Sequence, residues 1–470
     1  MTIAQWRLRA AFAARLSRMY GREVPAYTTL LAVSHEVNED VLRSRGADAE
    51  RLGSIRRVTA ERHGAVRVGT PGELRQVARV FGALGMRPVG FYDLRDTAVG
   101  ALPVVSTAFR PVAEEELARN PFRVFTSMLT VSDRRFFDAD LCARLTAFLA
   151  GRELFAPELL ALADRAEAER ELPEADAERF LDLAVRSFEL SAEPIDRDWY
   201  AALERVSAVA ADIGGVRATH LNHLTPRVLD IDELYRRMAE RGVEMIDTIQ
   251  GPPRWEGPDV LLRQTSFRAI AEPRALRGAD GTVTHGALRV RFGEVEARGI
   301  ALTRQGRALY DRMLALVDER AAHLPPAARG DIARAVWAEH LPVTEEGLAE
   351  RGLGFFTYHV AQGRPGDGRP PSQLGALLRD GWVRAEPIVY EDFLPRSAAG
   401  IFRSNLNDTG ARDSAQEADA YDAGRLSAAM DREVLDPFAL YERQRRLSLT
   451  RVALELGLAA APDVLRPGSP

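Results

Sequence analysis

One short stretch, residues 62–70, limits the possible folds of this chain more than any other feature. Its sequence, RHGAVRVGT, has the composition of a strand, and its glycines predict turns where that strand begins and ends. Residues four apart on a strand face the same side of a sheet. His63 and Arg67 can therefore face one cavity, the histidine as a metal ligand and the arginine as a group that binds a carboxylate.

The residues after this strand predict a small module of strands around one helix. Thr70-Pro71-Gly72-Glu73 has the pattern of a capping box, with Thr70 as the N-cap, and the helix is expected to stop at Gly85. Strand-like segments follow at residues 87–94, 104–110 and 122–129. This order of elements is typical of an α+β module.

A second group of strands is predicted after a long helix-rich region. Residues 133–212 carry Ala, Leu, Glu and Arg at helical spacing, which predicts an all-α insertion with solvated helix faces. Strand character returns at residues 216–227, 260–270, 286–303, 355–360 and 388–395, with a hairpin turn at Asp280-Gly281. The two groups of strands could be two halves of one barrel-like sheet.

The 470 residues are expected to form a single unit, because 46% of them are hydrophobic and can fill a large core. We divide that unit into four consecutive parts. They are N-terminal helices with the first β module (1–130), the helical insertion (133–212), a second β module with helices (216–400) and a C-terminal helical segment (401–470).

Composition excludes several kinds of site. All 63 basic residues are arginines, so a lysine Schiff base and a P-loop lysine are impossible. Cys142 is the only cysteine, which excludes an intrachain disulfide or thiolate cluster and fits a reducing cytoplasm. A net charge of −5 gives no indication of nucleic-acid binding. The N-terminus does not resemble a secretory signal, and no apolar run approaches the roughly 20 residues of a membrane helix.

Histidines and glutamates on the predicted strands are the candidate metal ligands. His220 and His223 share one segment, and residues three apart on a regular strand face opposite sides. One of them can face the cavity while the other supports it or faces outward. The surrounding motif, NHLTPR, favours His223, and His220 stays the alternative.

The carboxylate ligand is expected from Glu294 or Glu296, which lie two apart and share a strand face. The alternative is a pair of glutamates that simply face solvent. Two histidines and one carboxylate on three strands match the facial triad of non-haem Fe(II) oxygenases, which leaves positions open for substrate and oxygen.

Arginines supply candidate groups for binding an acid, since the guanidinium fork matches carboxylate geometry. Arg67 is the strongest candidate because it shares a face with His63. Further arginines lie near the same predicted strands, at positions 227, 263, 298 and 396, and neutral hydrogen bonds could come from Gln264, Thr265, Ser266 and Ser397.

Eight motifs, spread from about residue 10 to about residue 440, resemble the 2-oxoadipate dioxygenase/decarboxylase family, also called hydroxyglutarate synthase. They are RHGAVRVGT at 62–70, FRVFTS at 122–127, NHLTPR at 222–227, LDID at 229–232, LRQTSF at 262–267, FGEVEARG at 292–299, YEDFLP at 390–395 and SAAGIF at 397–402.

The resemblance implies a fold related to vicinal-oxygen-chelate proteins, an α+β fold whose core is a partly open β-barrel with large helical insertions. It implies iron ligands at His63, His223 and Glu294 and a substrate-binding arginine at Arg67. Substrate contacts would also come from Arg396 and Ser397, to which we add Gln264 and Ser266. The sequence departs from the family pattern at Arg396, where the relatives have a small apolar residue.

The implied reaction is 2-oxoadipate + O2 → 2-hydroxyglutarate + CO2, a late step of lysine breakdown, with Fe(2+) as cofactor and the D form as product. Two alternatives are a redox-silent lyase, isomerase or hydrolase that uses Zn2+ or Mn2+ and a binding protein without turnover. The resemblance implies a cytoplasmic enzyme whose partners are a 2-oxo dicarboxylic acid and O2, and neither nucleic acid nor membrane.

Overall fold

A five-stranded mixed sheet carries His63 at the centre of the protein. The computed structural model describes residues 1–96, 101–289, 291–325, 328–366, 368–396, 401, 404–405, 416 and 419–462. The strand order is β3-β4-β5-β2-β8, in which β2 runs parallel to β5 and the remaining pairs are antiparallel. These strands are β2 (Arg62–Val68), β3 (Arg87–Asp93), β4 (Val104–Arg110), β5 (Arg123–Leu129) and β8 (Leu221–Pro226), and the short β1 (Thr2–Ala4), β6 (Glu171–Pro173) and β7 (Ile195–Asp196) lie outside this sheet.

A two-stranded unit, β9 (Leu262–Phe267) with β12 (Gly293–Arg298), continues this array beyond β8. A parallel bridge joins Arg227 to Glu296, and the N–H of Val228 donates to the carbonyl of Glu296 at 2.8 Å. Within the described ranges no ladder of hydrogen bonds leads from β9 back to β3, so the strands do not close into a barrel. The fold is a mixed α+β fold.

Helices cover one face of the sheet and surround the rest. Helices α1–α5 are Gln5–Glu23, Pro25–Arg45, Ile55–Ala60, Pro71–Ala83 and Glu114–Arg119. Helices α6–α10 are Ala139–Ala150, Pro157–Glu169, Glu174–Arg186, Arg197–Glu204 and Ala208–Gly214, and α11 is Ile231–Glu240. Helices α12–α17 are Arg304–Ala321, Arg329–His340, Glu345–Glu350, Leu374–Arg379, Ala423–Met430 and Pro437–Leu456.

The period-2 alternation of the strands separates an apolar face from a polar one. Val66 and Val68 pack into the core beneath α1 and α4, where Phe12 and Phe81 are fully buried. Each such buried side chain contributes about 1.5–3 kcal/mol relative to an exposed one. The opposite face presents His63 and its polar neighbours, which have little apolar area to bury and need partners instead.

Helix α4 begins as the sequence predicts. Thr70 accepts from the N–H of Glu73 at 3.1 Å, and the Glu73 carboxylate accepts from the N–H of Thr70 at 3.2 Å, which completes the capping box. The Glu73 carboxylate also binds Arg152 from the helical insertion. The turn that ends β2 is therefore fixed from both sides.

Two predictions about the second group of strands need correction. The turn at Asp280-Gly281 joins an additional hairpin, β10 (Glu272–Arg277) with β11 (Val283–Leu288), while β9 pairs with β12 outside it. Among the described residues the last strand is β14 (Val383–Pro387), paired with β13 (Phe356–Val360), and residues 388–395 form only an isolated bridge between Val389 and Ile300.

Both side chains and the backbone after β12 bind residues 390–392. The N–H of Tyr390 donates to the carbonyl of Gly299 at 2.9 Å. The carbonyls of Tyr390 and Asp392 accept from the Arg298 guanidinium at 2.8 and 3.0 Å. The N–H of Glu391 donates to the Tyr441 hydroxyl at 2.8 Å. Hydrophobic alternation alone cannot distinguish this arrangement from a strand, because both satisfy the same backbone groups.

The insertion predicted at residues 133–212 contains α6–α10 but is not all-α, because the short strands β6 and β7 also lie in it and pair with β1 and β10. Its last helix, α10, ends beside the polar face of the sheet and places Asp212 next to Arg67. No helix among the described residues combines the length and apolarity that a bilayer crossing requires.

Candidate metal centre

Three buried side chains from three strands converge on the polar face of the sheet. The donor atoms of His63 (β2), His223 (β8) and Glu294 (β12) all lie within 4.8 Å of one another. Nε2 of His63 is 3.6 Å from Oε2 of Glu294, and Nε2 of His223 is 3.4 Å from Oε1 of the same carboxylate. Hence the structure brings together the three residues that the family resemblance implies as iron ligands.

Each histidine is held through its other ring nitrogen. Nδ1 of His223 lies 3.0 Å from the Thr225 hydroxyl, and Nδ1 of His63 lies 3.0 Å from the Glu296 carboxylate. The two glutamates thus have separate positions, with Glu294 between the imidazoles and Glu296 behind one of them. Contacts of this kind fix the ring orientation of metal-binding histidines and direct Nε2 towards the metal.

Aromatic rings enclose the two imidazoles. Phe393 packs edge-on against His63 with ring centroids 5.0 Å apart, and Phe292 stacks on His223 at 5.7 Å. The phenyl ring of Phe125 also contacts Phe393, at 5.0 Å. These apolar walls exclude water from one side of the donors and raise the strength of electrostatic interactions there.

A β-bulge explains why both histidines of the 220–223 segment lie near the site. Ala65 pairs with His223 but Val66 pairs with Leu221, so Asn222 is an extra residue on β8. The rule that residues three apart face opposite sides therefore fails here. His220 lies beside Asp212, 3.3 Å from its carboxylate, and contributes no donor to the cluster of His63, His223 and Glu294.

The protonation of the histidines fits a cation site. Burial lowers the pKa of His223 to about 4, so its imidazole is neutral and can donate a lone pair at neutral pH. Burial acts in the same direction on His63, but Glu296 and Glu294 outweigh it and raise the pKa of His63. The two carboxylates therefore attract positive charge to this position. Once a cation displaces the proton of His63, two imidazoles and one carboxylate suit a divalent first-row metal.

Arg67 shares the face of β2 with His63, as the strand parity predicts, and is held from the helical insertion. Its Nη1 donates to the Asp212 carboxylate, which also accepts from the Asn222 amide at 2.8 Å. The Thr219 hydroxyl donates to the Arg67 carbonyl at 2.7 Å. An arginine fixed at the edge of a metal site is suited to bind a carboxylate with two parallel hydrogen bonds.

The remaining predicted contacts fall into two groups. Gln264 and Ser266 lie on β9 directly opposite Glu296 and Glu294, so their side chains share the face of the metal donors. The Ser266 hydroxyl accepts from the Asn405 amide at 2.8 Å. Arg396 is not brought to the donors, since its guanidinium donates to Asp318 at 2.8 Å in a cavity that none of the three donors lines. Ser397 lies outside the described residues.

Behind Glu296 lies a group of buried charges, which we call the buried ion-pair layer. Arg123 donates to Glu61 at 2.8 Å, to Glu296 at 3.4 Å and to Glu391. Arg298 binds Glu296 through two parallel hydrogen bonds of 2.7 and 2.9 Å. The members of the layer are Arg57, Glu61, Arg123, Arg227, Glu296, Arg298 and Glu391. The layer fixes the carboxylate that orients His63.

Acid is expected to destabilise the protein through this layer. Burial alone would raise the pKa of Glu61, but Arg227, Arg123, Arg57 and Arg298 hold it well below its usual range, and the pKa of Glu391 is lowered by the same kind of contacts. The unfolded chain then binds more protons than the folded one below about pH 4.5, so the free energy of unfolding falls as the pH falls. Urea unfolding from about pH 5 to about pH 3 measures this slope. An equal slope in an Arg123→Met variant would contradict the assignment to the layer.

Removing the Thr225 hydroxyl is expected to weaken metal binding. The substitution Thr225→Val keeps the side-chain volume but takes away the partner of His223 Nδ1, and loss of such a contact costs about 10- to 100-fold in metal affinity. Competition with a chelator measures the change. Thr126→Val is the matched control, because that buried hydroxyl has no hydrogen-bond partner in the described part of the chain. Equal affinities in the two variants would exclude an orienting role for Thr225.

Sequence reasoning missed the residues that hold the site from a distance. Asp212 lies in the helix-rich region, where its carboxylate resembles the many that face solvent, and it meets Arg67 across 145 positions of sequence. Phe393 and Asn405 likewise come from the C-terminal part of the chain. Only Thr225 and Asn222 carried a local signal, because they flank His223 in the motif.

Comparison with known proteins places this site in a family. Residues 12–405 match the family model described as 2-oxoadipate dioxygenase/decarboxylase. A protein of that name from Mycobacterium tuberculosis is 57% identical over 436 residues, which cover 93% of this chain and 95% of the relative. One from Escherichia coli is 38% identical over 471 residues and covers 95% and 98%.

The fold agrees with the sequence match. The crystal structure of the hydroxyglutarate synthase from Pseudomonas putida in complex with 2-oxoadipate superimposes with a TM-score of 0.84 at 38% identity, over 97% of this chain and 99% of that one. The family model covers most of the chain, and the resemblance found in the eight motifs is confirmed. The chain belongs to the 2-oxoadipate dioxygenase/decarboxylase family.

Proposed function

We propose that this protein is an Fe(II)-dependent enzyme that converts 2-oxoadipate and O2 to 2-hydroxyglutarate and CO2. The observation that carries the proposal is the convergence of His63, His223 and Glu294 within 4.8 Å, beside Arg67 on the same face of the sheet. The relatives named above, and the substrate bound in the Pseudomonas putida structure, support the choice of acid.

His63, His223 and Glu294 would hold the iron through Nε2, Nε2 and one carboxylate oxygen. Bound there, iron would supply the redox chemistry that joins O2 to the oxo acid. The reaction balances without another oxidant, since one atom of O2 enters the carboxylate newly formed at the keto carbon and the other becomes the new hydroxyl group. The CO2 keeps the two oxygens of the carboxylate that leaves. Glu296 and Thr225 keep the two imidazoles in the orientation that binding requires.

Arg67 would bind a carboxylate of the substrate and set its orientation towards the donors. A charged, bidentate pair contributes both affinity and geometry. Gln264 and Ser266, on the same face, would add neutral hydrogen bonds. Because Asp318 already engages the Arg396 guanidinium, we assign any substrate contact from residue 396 to its backbone. The apolar rings of Phe393 and Phe125 would keep water away from the reacting carbon.

The arrangement of strands supports a partly open barrel of the vicinal-oxygen-chelate type. The five-stranded sheet and the β9–β12 pair lie side by side, and each contributes donors to the same polar face. A cavity bounded by strands on several sides lets donors from separate strands meet at one metal. This geometry also accounts for the wide separation of the three donors in sequence.

Oxygen uptake tests the proposal directly. Protein purified without oxygen and loaded with Fe(II) is expected to consume one O2 per 2-oxoadipate and to release CO2 and 2-hydroxyglutarate, detected by mass spectrometry. With 18O2, one labelled atom should appear in the new hydroxyl group. Turnover of the acid without O2 uptake, or with Zn2+ or Mn2+ in place of iron, would instead establish a redox-silent lyase, isomerase or hydrolase.

A further inference from the structure

A small cavity reaches the residues that hold Arg67 in place. Asp212 and His220 line it, together with Tyr200 and with Arg274 from β10, and its volume is about 240 Å3. This is below the range of about 300–1,000 Å3 typical of drug-sized ligands, so the space suits a smaller molecule. His63, His223 and Glu294 do not line it, which distinguishes the cavity from the metal centre.

Arg274 is the unusual member of this lining. Its side chain is 9% exposed, yet its only ion-pair contact among the described residues is with Glu272, at 4.0 Å. It also donates one long hydrogen bond of 3.4 Å to the carbonyl of Pro273. The Glu272 carboxylate is already engaged by Arg291, whose Nε lies 2.9 and 3.0 Å from its two oxygens. The only carboxylate paired with Arg274 among the described residues is therefore one that is 4.0 Å away and already bound to Arg291.

A buried guanidinium with so little compensation is costly to the folded protein. Burial lowers the pKa of Arg274, and the nearby Arg291 adds to this effect, while Glu272 and Asp212 oppose it. Ionised side chains are almost never buried without a close partner of opposite charge. The free donors of Arg274 thus favour an anion in the cavity.

The other charged groups on the lining are either engaged or at the rim. Asp212 binds Arg67 and Asn222, and Asp196 caps helix α9 by accepting from the N–H of Trp199 at 2.9 Å. Arg217 and Arg277, together with Glu193, are exposed. His220 is neutral, because burial lowers its pKa to about 4. Arg274 is therefore the cation that a small anion inside the cavity would meet.

We propose that this cavity is a capture site for the dicarboxylate substrate, in which Arg274 binds one carboxylate before the acid passes to Arg67. The proposal rests on the function proposed above. Asp212 links the two arginines, since it lines the cavity and also accepts from Arg67. An acid held at Arg274 lies next to the carboxylate that it must replace at Arg67. The chemistry recognised is that of a small dicarboxylate, with no requirement for a keto group.

Binding of adipate to the metal-free protein tests the site apart from turnover. Adipate carries both carboxylates but lacks the keto group through which an oxo acid binds a metal. Titration calorimetry is expected to show binding that Arg274→Met weakens by about 10- to 100-fold, the usual size of a lost hydrogen bond to a charged group. Arg289→Met is the control, because that exposed arginine does not line the cavity, and it should bind adipate as the unmodified protein does.

Steady-state kinetics with 2-oxoadipate give the second readout. The Arg274→Met variant should raise KM about tenfold and leave kcat within about twofold, because a group that only captures the substrate contributes equally to the ground and transition states. If this variant does not fold, as judged by circular dichroism, Arg274→Lys keeps the charge without the fork and should show the same change at smaller size.

The outcomes separate this proposal from the function it rests on. Adipate binding and KM that are the same in Arg274→Met and Arg289→Met would overturn the capture site, even if the enzyme consumes oxygen as expected. Adipate binding that depends on Arg274, in a protein that does not oxidise 2-oxoadipate, would uphold the site and overturn the proposed reaction. A fall in kcat with unchanged KM would place Arg274 in the chemical step and also overturn the proposal.

Discussion

The substitution His63→Ala is expected to abolish oxygen uptake with 2-oxoadipate while leaving the fold intact. Only His223 and Glu294 would remain as donors, and the imidazole that contacts Glu294 and Glu296 would be lost. Since loss of an outer contact already costs about 10- to 100-fold in affinity, loss of a donor should cost more than about 100-fold. An oxygen electrode measures the rate, and elemental analysis of the dialysed protein measures the bound iron.

His220→Ala is the matched control for this experiment. His220 is also a buried histidine near the site, but it contacts Asp212 and Asn222 and no member of the donor cluster. The His220→Ala protein should keep its iron. Its rate of oxygen uptake should change mainly because Asp212, which holds Arg67, loses a contact. Iron content and oxygen uptake that survive in His63→Ala would remove His63 from the metal centre, and iron loss in the control alone would put His220 there instead.

The second large effect is on stability. The substitution Arg123→Met is expected to lower the free energy of unfolding by about 3–5 kcal/mol, because removing one partner from a buried ion pair leaves charge without compensation. In this protein it leaves Glu61, Glu296 and Glu391 sharing fewer cations. Urea unfolding at neutral pH gives the value.

An exposed ion pair provides the comparison. Arg79 binds Asp164 through two hydrogen bonds of 2.8 and 2.6 Å, with side chains 31% and 55% exposed. The substitution Arg79→Met should therefore cost no more than about 1 kcal/mol. If both variants lose the same free energy of unfolding, burial does not determine how much the ion pairs of the layer contribute to stability. A stable Arg123→Met protein that has lost its iron would instead indicate that the layer acts only on His63.

Local patterns were sufficient to predict the elements that carry the metal donors. Strand β4 has the bounds that alternation predicts, and the capping box that starts α4 is present in full. His63 and Arg67 share a face because nothing interrupts the two-residue period of β2 between them. The two-residue period cannot distinguish Glu294 from Glu296, since both share one face of β12. The family resemblance was needed to choose Glu294.

The remainder depended on contacts between distant parts of the chain. Parity failed on β8 because Asn222 adds one residue to the strand, and a bulge of this kind has no signature in hydrophobic alternation. The strand predicted at 388–395 is reduced to a single bridge at Val389, because beyond it Arg298 and Tyr441 bind the backbone of residues 390–392. Asp212 and Arg274 gave no signal because their role comes from burial and from partners on other elements.

The bulge at Asn222 also sets a condition on any transfer of this site to another protein. A regular β8 with the same residues would keep His223 opposite Ala65 but turn the preceding residues to the other face. His223 and the residues that support Arg67 thus face the same side only because β8 has one residue more than β2 in this stretch. A designer who grafts the motif must copy this extra residue, and the length of the segment matters as much as its chemistry.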